Sequence, residues 1–248
     1  DIQRMLLVMR AQTEAARLIC FMTAEALDRA HLESDPEKAR WAADRAALLT
    51  PIAKAYSTDI GIEMASLGVQ VHGGMGFIEE TGAAQHWRDA RIAAIYEGTN
   101  GIQAIDLVMR KLPLQNGAVM QAQLKAMADM IAEVERSNHP AFGETALHLR
   151  EALTHLETAT AFMQAHAKDN PQQALAGATP YLRLFGVTQG GVALAKRGLI
   201  AASTAEGEAA IALARFFAAQ ICSEASGLSR TVTAGSVSLA AAAVALAS

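Results

Sequence analysis

The fold class follows most directly from residues 120–134, which read MQAQLKAMADMIAEV. Large apolar residues recur in this stretch every three or four positions, at Met120, Leu124, Met127, Ile131 and Val134. Such spacing is the period of an α-helix that buries one side against its neighbours. The stretch therefore predicts one helix of an antiparallel bundle, with these side chains in the core.

The same helical spacing extends along most of the chain, and a second stripe of Leu149, Leu153, Leu156 and Met163 follows the first. Prolines and short polar segments punctuate the pattern, and Pro51 can kink the helix that contains it. We predict a helix that starts near Ile2 and further helices at Glu37–Val71, Thr81–Ile92, Thr99–Lys111, 170–203, Glu206–Leu228 and Ser236–Ala247, with a loop at residues 73–76.

The bulk composition indicates an all-α protein made of antiparallel helical bundles. The 248 residues are 52% hydrophobic but only 5% aromatic, and runs of alternating Val, Ile and Thr are nearly absent, which disfavours sheets. The formal net charge is -4, from 21 basic and 25 acidic residues without a long run of either sign. A nucleic-acid-binding protein needs a basic face, so we expect no nucleic acid among the partners.

The two cysteines, Cys20 and Cys222, lie among apolar neighbours on helical patterns. Two distant cysteines make no disulfide framework, so we expect both to be reduced core residues of a cytoplasmic protein. No signal peptide is recognisable. The apolar stretch Val237–Leu246 is shorter than the roughly 20 residues that cross a bilayer, so no membrane span is expected.

The segment Pro113–Gly117 is the best candidate for a domain boundary, because a proline and a glycine lie there between one helical pattern and the stripe that starts at Met120. We expect one helical domain at residues 1–112 and a second helical bundle at residues 117–248. The chain opens at Asp1, already inside a helical pattern, so we also expect it to be a fragment of a longer protein.

The clearest candidate for chemistry is the run Ile95–Gln103, which reads IYEGTNGIQ. It places the carboxylate of Glu97 in a short turn between an apolar stretch and an amphipathic helix, where a general base can face a pocket. Gly98 lets the backbone approach a ligand, and Thr99 can cap the following helix. For these residues alone, a solvated turn glutamate is the commoner explanation.

Two further motifs precede this run: residues 70–77, QVHGGMGF, and residues 87–92, WRDARI. In this order and spacing, the three motifs resemble the carboxyl-terminal helical domain of acyl-CoA dehydrogenases. The signature of that family combines a Q-x-x-G-G-x-G loop, an R-D-A-[KR]-I helix end and a Y-E-G-T turn followed by I-Q. The resemblance covers roughly residues 1–112. Residues 117–248 resemble the extra helical domain of larger members through position and helical pattern only.

The resemblance implies a flavin-dependent oxidation of an acyl-CoA to the 2,3-enoyl-CoA. It makes Glu97 the base that removes the proton beside the thioester, with Tyr96 and Gly98 at the substrate, while a hydride passes to FAD. The backbone N–H of Glu97 would donate to the thioester oxygen as negative charge develops there. Thr99 and Gln103 match flavin-contacting positions.

Gln70, Gly73 and Gly74 match positions that touch the flavin of a neighbouring subunit in the family, so the resemblance implies a homo-oligomer, most simply a homodimer. An electron-transfer flavoprotein or a similar acceptor is the implied electron partner. From the residues alone, these glycines could equally form a tight loop between helices. Gly101 departs from the family, where a polar side chain is frequent, so a contact to the adenine side of the flavin is expected to be absent or supplied differently.

The remaining polar candidates are interpreted as structural. Arg88 and Asp89 are expected to form an ion pair at a helix end, and the Gly190–Gly191 pair is expected to allow close packing of helices. His148 and His155 share a helix face but lack a third ligand, so no metal is expected.

Two rival functions stay open at this point: a catalytically silent helical scaffold or nucleic-acid-binding relative, and an acyl-CoA oxidase, in which reduced flavin reacts directly with oxygen. The acidic charge balance and the presence of Glu97 disfavour the first rival. The family's amino-terminal helical domain and flavin-holding β-domain are missing from these residues. We therefore expect the chain alone to carry no FAD and to be inactive.

Overall fold

The computed structural model describes residues 1–246. Within this range the chain is helical and contains no strand, which confirms the predicted all-α class. The α-helices are α1 (Ile2–Leu32), α2 (Pro36–Val71), α3 (Gly74–Phe77), α4 (Ala83–Ala93), α5 (Asn100–Asp106), α6 (Ala118–Arg136), α7 (Thr145–His166), α8 (Pro171–Ala176), α9 (Ala178–Ala201), α10 (Gly207–Gln220), α11 (Ala225–Thr233) and α12 (Val237–Ala242). Shorter elements are the 3-10 turns Glu79–Thr81, Leu114–Gly117, Pro140–Phe142, Cys222–Glu224 and Ala243–Leu246, and a π-helical turn at Leu107–Lys111.

The two longest helices, α1 and α2, pack against each other, and the short connection between them makes the pair antiparallel. Asp35 caps α2, because its carboxylate accepts the N–H groups of Glu37 at 2.9 Å and Lys38 at 3.3 Å, while Pro36 occupies the first helical position. The helix then continues through Pro51 to its end. This long helix supplies one wall of the candidate site.

Helix α9 lies at the centre of the molecule, because it packs against α1, α2 and α5 and also against α6, α7, α10 and α11. Its glycines permit this close packing. A Cβ on Gly190 would lie 2.9 Å from the Cβ of Ala15, and a Cβ on Gly191 would lie 2.7 Å from Leu149 Cδ2. The close packing predicted for this glycine pair is confirmed.

The hydrophobic core runs without interruption across the predicted domain boundary. The predicted stripe on α6 is buried as expected, with each of its side chains at most 5% exposed. One cluster of buried residues joins Ile52 and Tyr56 on α2 to Phe185 on α9 and Phe217 on α10. The two predicted domains therefore share one core.

The helix expected over residues 170–203 is broken near its start, which corrects the prediction. It stops at Ala176 and restarts at Ala178 as α9. Gly177 lies at a crowded crossing, since a Cβ there would lie 2.9 Å from Met163 Cε and 3.0 Å from the carbonyl oxygen of Val232. The break therefore falls at a residue of low helix propensity, in a position where close packing leaves no room for a side chain.

The helix expected over residues 206–228 is also broken. Helix α10 ends at Gln220, and a 3-10 turn at Cys222–Glu224 precedes α11. The hydroxyl group of Ser223 donates to the carbonyl oxygen of Gln220 at 3.0 Å. Such a local side-chain hydrogen bond competes with the helical pattern and favours a turn.

Two segments that flank the candidate site differ from expectation. The predicted loop at residues 73–76 contains the single-turn helix α3, which follows Gly73 at φ 59°. The helix predicted over residues 99–111 is α-helical only to Asp106 and continues as a π-helical turn, in which Leu107 and Val108 are buried. Burial of these apolar residues outweighs regular α-helical bonding at the end of the segment.

The prediction that both cysteines lie in the core is wrong for Cys20, which is exposed, and right for Cys222, which is buried. Cys20 follows the buried Ile19, and one residue further along a helix points about 100° away from it. The Cys20 thiol lies 3.5 Å from the hydroxyl group of Ser57. Burial raises the pKa of the Cys222 thiol well above its ordinary value.

The last predicted helix, over Ser236–Ala247, is present as α12 followed by a 3-10 turn, and Ala247 lies outside the described residues. Across residues 1–246, no single helix has the length and apolar character that a bilayer crossing requires. Residues 207–233 and 237–246 meet those criteria jointly, but they are bent by 71° relative to each other.

Candidate functional site

The turn between α4 and α5 has an unusual backbone conformation at Glu97. Glu97 has φ 52° and Gly98 has φ 86°, so two consecutive residues are left-handed. Glycine adopts this conformation freely, whereas a residue with a side chain loses about 1–2 kcal/mol there. The side chain of Glu97 is exposed. Within residues 1–246 the N–H of Glu97 has no hydrogen-bond acceptor.

Helix α2 holds this turn through Lys54. The ammonium group of Lys54 donates to the carbonyl oxygen of Gly98 at 2.9 Å and to Asn100 Oδ1 at 2.8 Å. It also lies 6.0 Å from the centre of the Tyr96 ring. Lys54 thus contacts Gly98 itself, Tyr96 on one side of the left-handed pair and Asn100 on the other.

Asn100 fastens the start of α5 to α2. Its side-chain NH₂ group donates to Asp59 Oδ1 at 2.7 Å, to Thr58 Oγ1 at 2.9 Å and to the carbonyl oxygen of Ala55 at 3.1 Å. Its backbone N–H donates to the carbonyl oxygen of Ala94 at 3.1 Å, which closes the turn. Partial burial raises the pKa of Asp59, while the hydrogen bond from Asn100 lowers it.

Sequence analysis missed Lys54, Asn100 and Asp59. The only local signal was that Asn100 directly follows the predicted cap Thr99. The contacts of Asn100 with α2 span more than 40 residues of sequence, for example 46 to Lys54. No spacing rule connects residues so far apart.

The structure brings five of the predicted site residues together on the turn and the start of α5: Tyr96, Glu97, Gly98, Thr99 and Gln103. The predicted cap is confirmed, since Thr99 Oγ1 accepts the N–H of Ile102 at 3.3 Å. Gln103 lies over the turn, because a Cβ on Gly98 would be 3.5 Å from Gln103 Nε2. Tyr96 is 52% exposed, so its ring is not part of the core.

The other predicted residues, Gln70, Gly73 and Gly74, lie elsewhere. They occupy the far end of α2 and the start of α3, and all three are exposed. Gln70 follows Lys54 by 16 residues on the same helix. At a rise of 1.5 Å per residue this places the two groups roughly 24 Å apart. A single chain therefore does not combine them into one compact site.

The segment between these two groups differs from the prediction in one ion pair, and it also carries an exposed apolar patch. Arg88 pairs with Glu79, with Arg88 Nη2 at 2.9 Å from Glu79 Oε2, rather than with Asp89 as predicted. The reason is geometric, since adjacent residues on a helix point in different directions. Nearby large apolar side chains are exposed, and we call this set the Phe77 patch: Met75, Phe77, Ile78 and Trp87.

In the described part of the chain, no group of three or more His, Cys, Asp or Glu side chains is arranged to hold a metal ion. His148 lies 3.9 Å from a carboxylate oxygen of Glu144 and 3.7 Å from one of Glu151. His155 is half-buried on the same helix.

Two family models match the chain. The model described as acyl-CoA dehydrogenase, C-terminal domain, matches residues 1–112. The model described as acetyl-CoA dehydrogenase C-terminal like matches residues 121–243. The 3-10 turn at Leu114–Gly117 lies between the two matched regions.

Curated relatives include enzymes named as acyl-CoA dehydrogenases. The 3-methylmercaptopropionyl-CoA dehydrogenase of Ruegeria pomeroyi is 41% identical over 94% of this chain. A butyryl-CoA dehydrogenase of Syntrophomonas wolfei is 30% identical over 82% of it. The chain spans 40% of the length of the first relative and 33% of the second.

Solved structures share the fold. Caenorhabditis elegans ACDH-11, in complex with C11-CoA, matches with a TM-score of 0.69 over 84% of this chain and 34% of its own. An acyl-CoA dehydrogenase from Bacillus anthracis, complexed with FAD, matches with a TM-score of 0.65 over 93% of this chain and 40% of its own. Both are 18% identical to it. With the two family models, these findings show that the chain belongs to the acyl-CoA dehydrogenase family and matches the carboxyl-terminal domains of that family.

Proposed function

We propose that the chain is the carboxyl-terminal part of a flavin-dependent acyl-CoA dehydrogenase that oxidises an acyl-CoA to the 2,3-enoyl-CoA, with Glu97 as the base. One observation carries the proposal above all: Glu97 is presented to solvent on a left-handed turn that Lys54 and Asn100 tie to α2. The relatives named as acyl-CoA dehydrogenases support the reaction class.

The proposed chemistry needs two functions from the turn. A proton beside a thioester is weakly acidic, so its removal requires a base in position and stabilisation of the charge that develops on the carbonyl oxygen. The Glu97 carboxylate takes the proton from the second acyl carbon. The N–H of Glu97, which has no acceptor within residues 1–246, donates to the thioester oxygen.

The exposed donors suit FAD. The Gln103 amide lies over Gly98, and Gly73 and Gly74 present backbone without a side chain. No atom lies within 4 Å of a Cβ built on Gly73 or Gly74, and the N–H of Gly74 has no acceptor in the described range. Amide and backbone N–H donors of this kind bind diphosphate groups. When bound, FAD would accept the hydride from the third acyl carbon.

The separation of the two donor groups supports a homo-oligomer. Gln70 lies near the carboxyl end of α2, roughly 24 Å along the helix from Lys54, which contacts the Glu97 turn. The two positions therefore suit flavins bound to different subunits. We infer a homodimer as the simplest arrangement. An electron-transfer flavoprotein or a similar acceptor would then remove the electrons, as the resemblance implies.

The test is to replace Glu97 by glutamine in the intact protein. The Glu97→Gln variant should keep its flavin absorbance and its affinity for acyl-CoA, while kcat falls about 10²–10⁴-fold, the usual contribution of a general base. Glu157→Gln is the matched control, since Glu157 is an exposed carboxylate on α7. Wild-type turnover in a flavin-loaded Glu97→Gln enzyme would contradict the proposal.

A further inference from the structure

We propose that Lys54 and Asn100 are positioning residues for Glu97, and that they act by fixing the Gly98 carbonyl group so that the left-handed turn keeps one conformation. The inference rests on the proposed function, because it assigns a role in proton removal to residues that do not touch the reacting atoms. Lys54 lies outside every motif described above, and Asn100 lies within the Ile95–Gln103 run but had no role assigned to it.

The turn depends on few hydrogen bonds. Residues 95–99 are exposed, so water competes for their backbone groups. In the described part of the chain, the bond from Lys54 to the Gly98 carbonyl oxygen is the one that reaches the backbone of residues 95–99 from a helix other than the flanking α4 and α5. Because its donor is charged, this bond is stronger than a neutral hydrogen bond. It therefore offsets part of the cost of the left-handed conformation at Glu97.

Asn100 directs the Lys54 ammonium group toward the turn. Asn100 Oδ1 accepts from Lys54, and the opposite end of the same amide donates to Asp59. The amide cannot rotate without losing one of these bonds to α2. Lys54 is half-buried and emerges from the long, well-packed α2, so its charged end starts from a fixed backbone. The network thus connects Glu97 to the rigid part of the fold.

The first experiment measures the turn itself, with the 248-residue chain. Hydrogen–deuterium exchange of the segment 95–106 is compared in wild type, Lys54→Met and Asn100→Ala. Methionine is similar in length to lysine but donates no hydrogen bond. Both variants should exchange faster in this segment, while exchange in α2 is the same as in wild type. Lys125→Met is the control, since Lys125 is exposed on α6 and, among residues 1–246, pairs only with Asp129, at 2.6 Å.

The second experiment measures catalysis in the intact, flavin-loaded protein. Lys54→Met and Asn100→Ala should lower kcat by about 10- to 100-fold, as expected when a catalytic group is displaced by about 1 Å, with KM for acyl-CoA nearly unchanged. Deuterium at the second acyl carbon should slow these variants more than it slows wild type, because proton removal becomes more strongly rate-limiting. A purely structural role would lower flavin content and thermal stability without changing this isotope effect.

The outcomes separate this inference from the function on which it rests. Unchanged exchange and an unchanged isotope effect in a folded Lys54→Met protein would overturn the inference, even if Glu97→Gln abolishes turnover. Full activity of Glu97→Gln would overturn the proposed function, while the exchange data would still decide whether Lys54 fixes the turn. If Lys54→Met does not fold, Asn100→Ala decides by the same two readouts.

Discussion

At the residue scale, backbone conformation distinguishes Glu97 from the other carboxylates. Among residues 1–246, the non-glycine residues with positive φ are Glu97, Gln115, Asn116 and Asn138. Of these, Glu97 alone is ionisable, and it alone has an adjacent carbonyl group held by a cation from another helix. A strained conformation that the surrounding structure maintains is typical of a functional position.

The two cysteines should react very differently in the folded chain. A thiol reagent at neutral pH should modify Cys20, which is exposed, while Cys222 stays unmodified because it is buried and its thiol pKa is raised. Titration with a chromogenic disulfide should give one rapid equivalent, and a second after denaturation. Two rapid equivalents in the native protein would show that Cys222 is accessible to the reagent, which contradicts its burial.

Short-range features of the site were readable from the sequence, and long-range ones were not. The Glu97 turn, the Thr99 cap and the glycines at residues 73 and 74 lie within short motifs. The contact between Lys54 and Gly98 joins residues 44 positions apart, and a lysine on a helix has no sequence mark that separates it from a surface lysine. The exposure of Cys20 was missed because apolar neighbours on a helix need not share its face.

At the scale of elements, α2 connects the candidate site to the second half of the chain. Lys54 and Asp59 contact the start of α5, while Glu63 pairs with Arg183 on α9. Arg183 also pairs with Glu224, at 3.3 Å, in the turn before α11. One arginine thus lies between two carboxylates from different elements.

Replacing Arg183 by methionine should destabilise the fold by about 1–3 kcal/mol at pH 7, since it removes ionic hydrogen bonds in a half-buried site. The loss should shrink in acid. Burial raises the pKa of Glu224, and Arg183 opposes that rise. Because the pKa of Glu224 is higher in the folded chain than in the unfolded chain, its ionisation lowers the free energy of unfolding. This loss is complete above the folded-state pKa and disappears as pH falls toward the ordinary pKa of 4.5.

Chemical unfolding of wild type and Arg183→Met at pH 4.5, 6 and 8 measures this difference. We expect the difference in free energy of unfolding between the two proteins to be largest at pH 8 and smallest at pH 4.5. Arg136→Met is a suitable control, because Arg136 is exposed at the end of α6. If this difference were constant or grew in acid, the pairing of Arg183 with ionised carboxylates would not explain its contribution to stability.

The existence and class of the long helices followed from periodicity, but two of their interruptions did not. The break at Gly177 lies where Met163 and Val232 pack closely, and the break after Gln220 coincides with the hydrogen bond from Ser223 to the Gln220 carbonyl oxygen. An apolar stripe continues across such a break, so the period alone predicts one helix.

At the scale of the whole molecule, one continuous core unites the two halves, yet large apolar side chains stay exposed near the candidate site. Phe77 is 84% exposed, and the Phe77 patch adjoins the glycines proposed to serve another subunit's flavin. The position of the domain boundary stays a prediction, because the core crosses it. Exposed patches of this kind mark interaction surfaces.

We expect the chain to self-associate through the Phe77 patch. Phe77→Glu should shift the sedimentation profile toward monomer, because it places a charge in an apolar contact. Leu147→Glu is the matched control, since Leu147 is 50% exposed on α7, away from the patch in sequence. A monomeric wild type at high concentration, or equal effects of both variants, would count against this surface.

The central claim is that Glu97 removes the proton that allows the hydride to leave. The most direct measurement is flavin reduction in a single turnover, because it does not depend on the electron acceptor. The flavin-loaded intact protein is mixed with acyl-CoA without oxygen, and loss of flavin absorbance is followed in wild type, Glu97→Gln and Glu157→Gln. We expect rapid bleaching in wild type and Glu157→Gln and bleaching about 10²–10⁴-fold slower in Glu97→Gln. Bleaching of Glu97→Gln at the wild-type rate would show that Glu97 is not the base.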